Sequence, residues 1–425
     1  MYNKPYPVVD DAGAPYSLKV VQADDYGSFW DRSVAESVLN DLEAQSKRTN
    51  TIIVVFIHGW HHNAKPDDPN LGRFKQVLAE LHKVLDTPER ARIRQELTGD
   101  AAFELTGLYI GWRGRSLPGW FDYLTLWGRK TAAERVGDGA VSEFIERLQG
   151  IYMRANGVEP GAAPAPRRFT GLVTIGHSLG AEVLWKSLYR SLEGPLVRRA
   201  PHFANILTPE ANVVSATEST PISGLGDLNI LINPAIEAYQ FARVDALYRQ
   251  VAYPASQTPQ VVVFSSNTDK DRRYLFPLAR AVTSPFRPRF REDNKGYQGM
   301  LWGNALGEVP AQLTHTLARA AAQPDSLTEA AYRDLALLAR FDFTDKTAFG
   351  GVHLTPHHAP GGPPRTPYSP VMVVKTVNDI IKGHNDIFEP KFCQFLAKYI
   401  AFIEGKRIFL RNVRLLPAAK DQPAR

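Results

Sequence analysis

The sequence predicts an α/β protein built on a mostly parallel, doubly wound sheet with helices on both faces. Six short apolar runs carry that expectation: Thr51–Ile57, Leu105–Gly111, Gly171–Ile175, Leu228–Ile232, Gln260–Ser265 and Val371–Val377. Near-continuous apolar strands suit a parallel sheet covered on both sides. Successive runs are also separated by enough chain for at least one helix, which parallel crossovers require. Finally, 44% of the 425 residues are hydrophobic and 22% are charged, enough for a large core and too few charges for global disorder.

Taken in order, the connections read as follows. Leu71, Phe74, Val77, Leu78, Leu81 and Leu85 share one face at the helical period. Thr131–Tyr152 reads as a helix, and Gly157–Arg167 as a Pro/Gly/Ala loop before the next strand. Helices are also expected over Leu179–Leu192 and Ala235–Tyr248. Leu278–Gly351 is a long excursion between strands and is expected to form a cap or lid. A Pro-rich loop, Leu354–Pro370, precedes the last strand. Phe392, Phe395, Leu396 and Tyr399 then recur at helical spacing within Pro390–Ile403. Residues 417–425 read as a mobile polar tail of a single domain spanning 1–425.

Composition narrows the function classes. A pI near 9.2 and a net charge of +6 are mild over this length, with no concentrated basic patch, so nucleic-acid binding is not expected. Cys393 is the sole cysteine, which excludes an intramolecular disulfide, and it reads as a small core residue. The first ten residues lack the basic and apolar regions of a secretory signal, and the β-rich run Ile52–Ile57 is too short to cross a bilayer. A cytoplasmic protein is expected, with signal-independent export left open.

The segment richest in chemistry is Gly176-His177-Ser178-Leu179-Gly180, which fits G-x-S-x-G. It follows an apolar strand and opens an apolar-periodic helix, the setting of a nucleophile elbow. A tight strand-to-helix turn holds the serine in a strained conformation and lifts its hydroxyl above the sheet. The glycines on either side remove Cβ atoms that would collide there. The Leu179 N–H then sits at a helix start, where a backbone donor can stabilise an oxyanion. Upstream, Thr51–Ile57 runs into His58-Gly59-Trp60, and a His-Gly pair there offers a second oxyanion donor, the Trp60 N–H.

With these motifs the chain resembles the α/β-hydrolase superfamily in its esterase and lipase branch. The resemblance rests on Ile57-His-Gly-Trp60, Gly176-His-Ser-Leu-Gly180, the Asp-bearing loop after Gln260–Ser265, and Gly383-His384 after the last strand. The order of serine, acid and histidine is that of the superfamily, and the match spans about residues 50 to 403. In such a fold the general base follows the final strand, and His384 is the only histidine between Val377 and Pro390. The acid should follow the preceding strand. Asp269 is nearest its end, Asp271 is the rival, and Glu237 is a third candidate otherwise read as a helix charge.

The resemblance implies acyl transfer through an acyl-enzyme intermediate, with no metal or organic cofactor. A small-molecule or lipid ester is the expected substrate. A peptidase or amidase, an acyltransferase and an inactive binding protein are the alternatives. His58, His177, Trp112 and Arg113 are candidates to line the substrate site, Trp112 and Arg113 because strand C-termini face it. Packing for Trp112 and a structural ion pair for Arg113 are equally expected. Trp120, Phe121, Tyr123, Leu124 and Trp127 form an aromatic cluster read more simply as core than as an acyl pocket. Arg287, Arg289 and Arg291 alternate with Pro and Phe in a run that is a solvated loop or a peripheral contact with anionic lipid. The pairs His61-His62 and His357-His358 lack a metal-binding spacing and read as loop histidines. His315 reads as structural or associated with the cap.

Overall fold

Alternation of side chains across extended backbone decides the architecture. In β2 (Asn50–Ile57), Ile52, Val54 and Phe56 enter one apolar cluster while Ile53, Val55 and Ile57 enter another, and all eight residues are buried. Such a strand needs helices on both sides. The computed structural model describes residues 13–114, 126–158, 168–204, 206, 220–269, 295–320, 341–349, 351–357, 368–377 and 379–413, and they provide that cover.

Ten strands form the sheet among the described residues. Besides β2 they are β1 (Ser17–Gln22), β3 (Phe103–Gly111), β4 (Thr170–His177), β5 (Leu228–Ile232), β6 (Val261–Ser266), β7 (His315–Arg319), β8 (Thr347–Phe349), β9 (Val352–Pro356) and β10 (Val371–Thr376). Their order is β1-β3-β2-β4-β5-β6-β10-β7-β9-β8. Every pair from β1 through β7 is parallel, and β9 runs antiparallel to both β7 and β8. The register aligns buried residues across the sheet: Ile53 faces Leu172 and Thr106, and Val262 faces Ile230 and Met372.

One face is covered by α2 (Pro69–Leu85), α3 (Pro88–Thr98) and α9 (Pro390–Val413). The other is covered by α1 (Arg32–Arg48), α4 (Leu126–Asp138), α5 (Ala140–Ala155), α6 (Leu179–Arg199) and α7 (Ala238–Tyr248). Local sequence explains the helix starts. Asp31 caps α1 by accepting from Ser33 N at 2.9 Å, and Asp68 caps α2 from Asn70 N at 2.8 Å with Pro69 in the first turn. All six periodic apolar residues of α2 are buried. On the same face Phe264 meets Phe392 and Phe395 edge-on at 5.4 and 5.6 Å, seating α9 against β6. Cys393 is buried in this cluster, where burial pushes its thiol up to about 12.

The helix expected over Thr131–Tyr152 is two. The chain breaks at Gly139, whose backbone at φ −97° and ψ −138° is not helical, and Ala140 N donates to the Gly27 carbonyl at 2.7 Å; a Cβ on Gly139 would lie 2.3 Å from that carbonyl, so the approach requires glycine. The helix expected from Ala235 begins at Ala238, because Glu237 before it has an extended backbone at φ −67° and ψ 136°. The helices after Ser178 and Pro390 continue to Arg199 and Val413, well past the expected ends. β1, α1 and α3 lie before or between the six runs and were not among the expected elements.

Of the excursion expected as a cap, residues 295–320, 341–349 and 351 are described. They add β7 and β8 to the sheet edge and a helix, α8 (Lys295–Gly303), whose Leu301 packs with Ala238 and Ala242 of α7. The expected tail, the run bearing Arg287, Arg289 and Arg291, and Trp120, Phe121, Tyr123 and Leu124 lie outside the described residues, as does the side chain of Trp127. Among the described residues no helix is long and apolar enough to cross a membrane.

Parallel strands deliver their C-terminal ends to one edge, so the segments after β2, β4, β5, β6 and β10 converge there. Substitution separates the glycines that matter to this frame from those that do not. Gly139→Ala should lower the urea-unfolding free energy by about 2 kcal/mol through overpacking. Gly72→Ala, where nothing lies within 4 Å, should raise it by about 0.5–1 kcal/mol.

Candidate active site

Ser178 stands between β4 and α6 with φ 54° and ψ −120°, a left-handed backbone that a side chain rarely adopts. Three backbone contacts hold it there. Its N–H donates to Ile232 O at 3.0 Å, and its carbonyl accepts from Ala181 N and Ala235 N, both at 3.1 Å. Neighbouring chain passes too close for any side chain at the flanking glycines. A Cβ on Gly176 would lie 2.7 Å from Ala181 Cα, and one on Gly180 would lie 2.2 Å from Ile57 O. The elbow glycines are therefore demanded by contact with α6 and with the end of β2.

Above this turn Ser178 Oγ lies 2.7 Å from His384 Nε2, and His384 Nδ1 lies 2.6 Å from Asp269 Oδ2. A carboxylate accepts at Nδ1, so that nitrogen carries the proton and Nε2 is left to accept from the serine hydroxyl. The Asp269 side chain is fully buried, while 12% of the His384 side chain is exposed. Ser178, Asp269 and His384 follow β4, β6 and β10, and the fold brings together the three residues that sequence reasoning favoured. Asp271 lies outside the described residues. Glu237 is engaged elsewhere, in an ion pair with Lys130 at 2.8 Å.

The expected oxyanion loop lies against the serine. A Cβ on Gly59 would fall 2.8 Å from Ser178 Cβ, so only glycine admits the peptide this near. His58 fixes the orientation of that peptide. Trp112 N–H donates to His58 Nε2 at 3.0 Å, leaving the proton on Nδ1, which donates to Gly59 O at 2.9 Å. Because the peptide is trans, the Trp60 N–H points to the side opposite the tethered carbonyl. The second donor, Leu179 N–H, is the first residue of α6 and has no acceptor within the helix.

Two of the expected substrate-lining residues are structural instead. His58 is fully buried, stacked 5.7 Å from Trp112 and 5.5 Å from Tyr109, and burial brings its pKa down to about 4. His177 is also fully buried and donates through Nε2 to the His384 carbonyl at 2.9 Å. Burial, with His384 alongside, holds its pKa well below the ordinary value. Trp112 donates its indole N–H to His58 O at 2.8 Å, and Arg113 pairs with Asp25, which also binds Arg129 at 2.8 Å. Both side chains line a cleft of about 230 Å³ where β1 and β3 end, three and two strands from the β4 that leads to Ser178.

Sequence reasoning missed the residues that hold His384. Asn233, at φ 43°, donates from Nδ2 to the carbonyls of His384 (3.1 Å) and Gly383 (3.3 Å) and accepts at Oδ1 from Ser266 N at 2.9 Å. Ser266 Oγ donates to Ile381 O at 2.7 Å. The only sequence signal was an Asn-Pro step at a strand end, where left-handed asparagine is tolerated.

His62 meets Asp68 at 3.1 Å, His61 stacks on Trp60 at 3.8 Å, and His315 donates from Nε2 to Phe343 O at 2.9 Å. His357 donates its backbone N–H to Thr314 O, and His358 lies outside the described residues. Among the described residues no three His, Cys, Asp or Glu side chains come together to hold a metal ion.

Beneath the elbow the first turn of α6 carries Glu182, fully buried with neither carboxyl oxygen hydrogen-bonded. Burial pushes it up to about 7, against the pull of Lys130. No family model matches the chain, and neither does any curated protein or solved structure.

Two measurements bear on this geometry. Gly59→Ala should slow labelling of Ser178 by a fluorophosphonate at least about 100-fold with an unchanged circular-dichroism spectrum, since a misplaced oxyanion peptide costs on that order. Glu182 keeps its proton in the folded state up to about pH 7, whereas the unfolded chain releases it near 4.5, so wild type loses stability as pH rises through that window. Glu182→Gln should therefore gain on wild type by about 3 kcal/mol between roughly pH 4 and 8 in urea unfolding. A difference that does not change with pH would contradict a buried neutral carboxyl.

Proposed function

We propose that this chain is a serine hydrolase of the α/β-hydrolase type that cleaves carboxylic esters. The observation that carries the proposal is the unbroken relay from Ser178 Oγ through His384 to buried Asp269, at 2.7 and 2.6 Å. Hydrogen-bond contact between a hydroxyl, an imidazole and an orienting carboxylate is what nucleophilic acyl transfer requires.

In this mechanism His384 Nε2 takes the Ser178 proton as Oγ attacks the ester carbonyl. Asp269 keeps the imidazole in its Nδ1–H tautomer and stabilises the imidazolium that forms. The N–H groups of Leu179 and Trp60 receive the oxyanion of the tetrahedral intermediate. As the intermediate collapses, His384 returns the proton to the departing alkoxide and an acyl ester remains on Ser178. Water, deprotonated by the same imidazole, then attacks that ester, and the imidazolium returns the proton to Ser178 Oγ as the acid leaves.

The residues around the relay hold it without taking part. His177 and Asn233 fasten the His384 carbonyl, so the imidazole is positioned by its own backbone as well as by Asp269. His58 sets the Gly59–Trp60 peptide. Peptide, amide and acyl-transfer chemistry use the same relay, and product analysis separates them from ester hydrolysis.

A p-nitrophenyl ester series of increasing chain length tests the proposal. Wild type should turn over at least one member, Ser178→Ala and His384→Ala should leave no more than residual activity, and Asp269→Asn should drop kcat by about 10⁴-fold. No turnover of any ester, together with no fluorophosphonate labelling of Ser178, would reject it in favour of a binding scaffold.

A further inference from the structure

A second cavity opens at the opposite end of the sheet from Ser178. It has a volume of about 170 Å³ and lies where β10 and β7 begin, next to the last turns of α9. His384 follows the other end of β10, and a six-residue strand at about 3.3 Å per residue sets the two sites roughly 20 Å apart. Phe341, Phe343, Val371 and Met372 give the cavity an apolar wall, with Tyr368 beside them.

Lys406 of α9 lines this cavity although the residue is only 2% exposed. One of its three ammonium protons goes to the Phe341 carbonyl, and the ammonium stands 5.6 Å from the Tyr368 ring centre. Among the described residues no carboxylate comes within ion-pair distance of it. The other charged groups at the cavity are satisfied elsewhere. Arg249 pairs with Asp245 at 3.0 Å and donates to Ala311 O at 2.8 Å. Asp342 accepts from Thr344 N at 3.1 Å and from its hydroxyl at 2.6 Å. His315 gives its Nε2 proton to Phe343 O.

A buried ammonium with two unused donors is costly to maintain unless an anion meets it. We infer that this cavity is a binding site for an apolar monocarboxylate, seated with its carboxylate on Lys406 and its hydrocarbon against Phe341, Phe343 and Met372. A dry cavity of about 150 Å³ encloses one benzene ring, so the ligand is about that size: a single ring or a chain of about six to eight carbons. The ammonium selects the carboxylate over a neutral or cationic head of the same chain. The inference is independent of the chemistry at Ser178, and a ligand here does not compete with one there.

Sodium octanoate below its micellar concentration tests it by isothermal titration calorimetry. Wild type and Ser178→Ala should bind octanoate with the same affinity, and octan-1-ol and octylamine should bind wild type at least tenfold more weakly. Lys406→Met keeps the length and apolarity of the side chain and should weaken octanoate at least tenfold. Equal binding of octanoate and octanol to wild type would overturn the inference without any variant. So would no octanoate binding at all, octanoate binding unchanged in a folded Lys406→Met protein, or binding abolished when Ser178 is blocked by a fluorophosphonate.

Discussion

The candidate site depends on how closely three backbone segments approach at the C-terminal edge of the sheet. The end of β2, the turn after β4 and the start of α6 pass within distances that no Cβ tolerates at Gly59, Gly176 and Gly180. That crowding pushes the Ser178 hydroxyl outward, carries the Gly59–Trp60 peptide to the serine and points the first turn of α6 at the same place. The left-handed φ at Ser178 costs on the order of 1–3 kcal/mol. Contacts with Ile232, Ala181 and Ala235 offset it, and they exist only once β5 and α6 are packed.

A second layer of buried polar groups holds the loop that carries His384. The loop after β10 is long and irregular, yet His384 must stay within hydrogen-bond reach of two partners from different strands. His177 and Asn233 grip its backbone from below and Ser266 grips Ile381, all from positions largely or fully buried. Each tie satisfies a carbonyl that would otherwise be desolvated without a partner, so stability and positioning come from the same bonds. Placing histidines beneath the site has an electrostatic logic too. Burial lowers the pKa of both His58 and His177, so neither places a positive charge beside His384.

Much of this was legible in the chain because the relevant constraints are local. Apolar runs marked the six central strands, and the spacing of glycines around Ser178 reflected a contact that glycine alone permits. Asp269 and His384 could be read from their places after the last two of the apolar runs. What escaped depends on distant partners. His58 and His177 looked like residues facing the site, because nothing in their neighbourhood reveals that Trp112 and the His384 carbonyl occupy their ring nitrogens. The break at Gly139 is set by Gly27, more than a hundred residues earlier. β7 and β8 are short and lie within a segment whose length suggested a separate cap, while their pairing with β10 and β9 is visible only in three dimensions. Asn233 carried a faint mark, an asparagine before proline, with no hint of what it would hold.

The position of β10 has a consequence for how the protein is made. Among the described strands it comes last in the chain, yet it sits between β6 and β7 rather than at a margin. Until it has left the ribosome, β6 and β7 have no shared partner and the two parts of the sheet cannot join. Ser178 emerges about two hundred residues before His384, so a nascent chain carries the serine for some time before its imidazole partner exists. Late insertion of a central strand is also a step with high loop-closure cost, and its open gap exposes two unpaired strand edges.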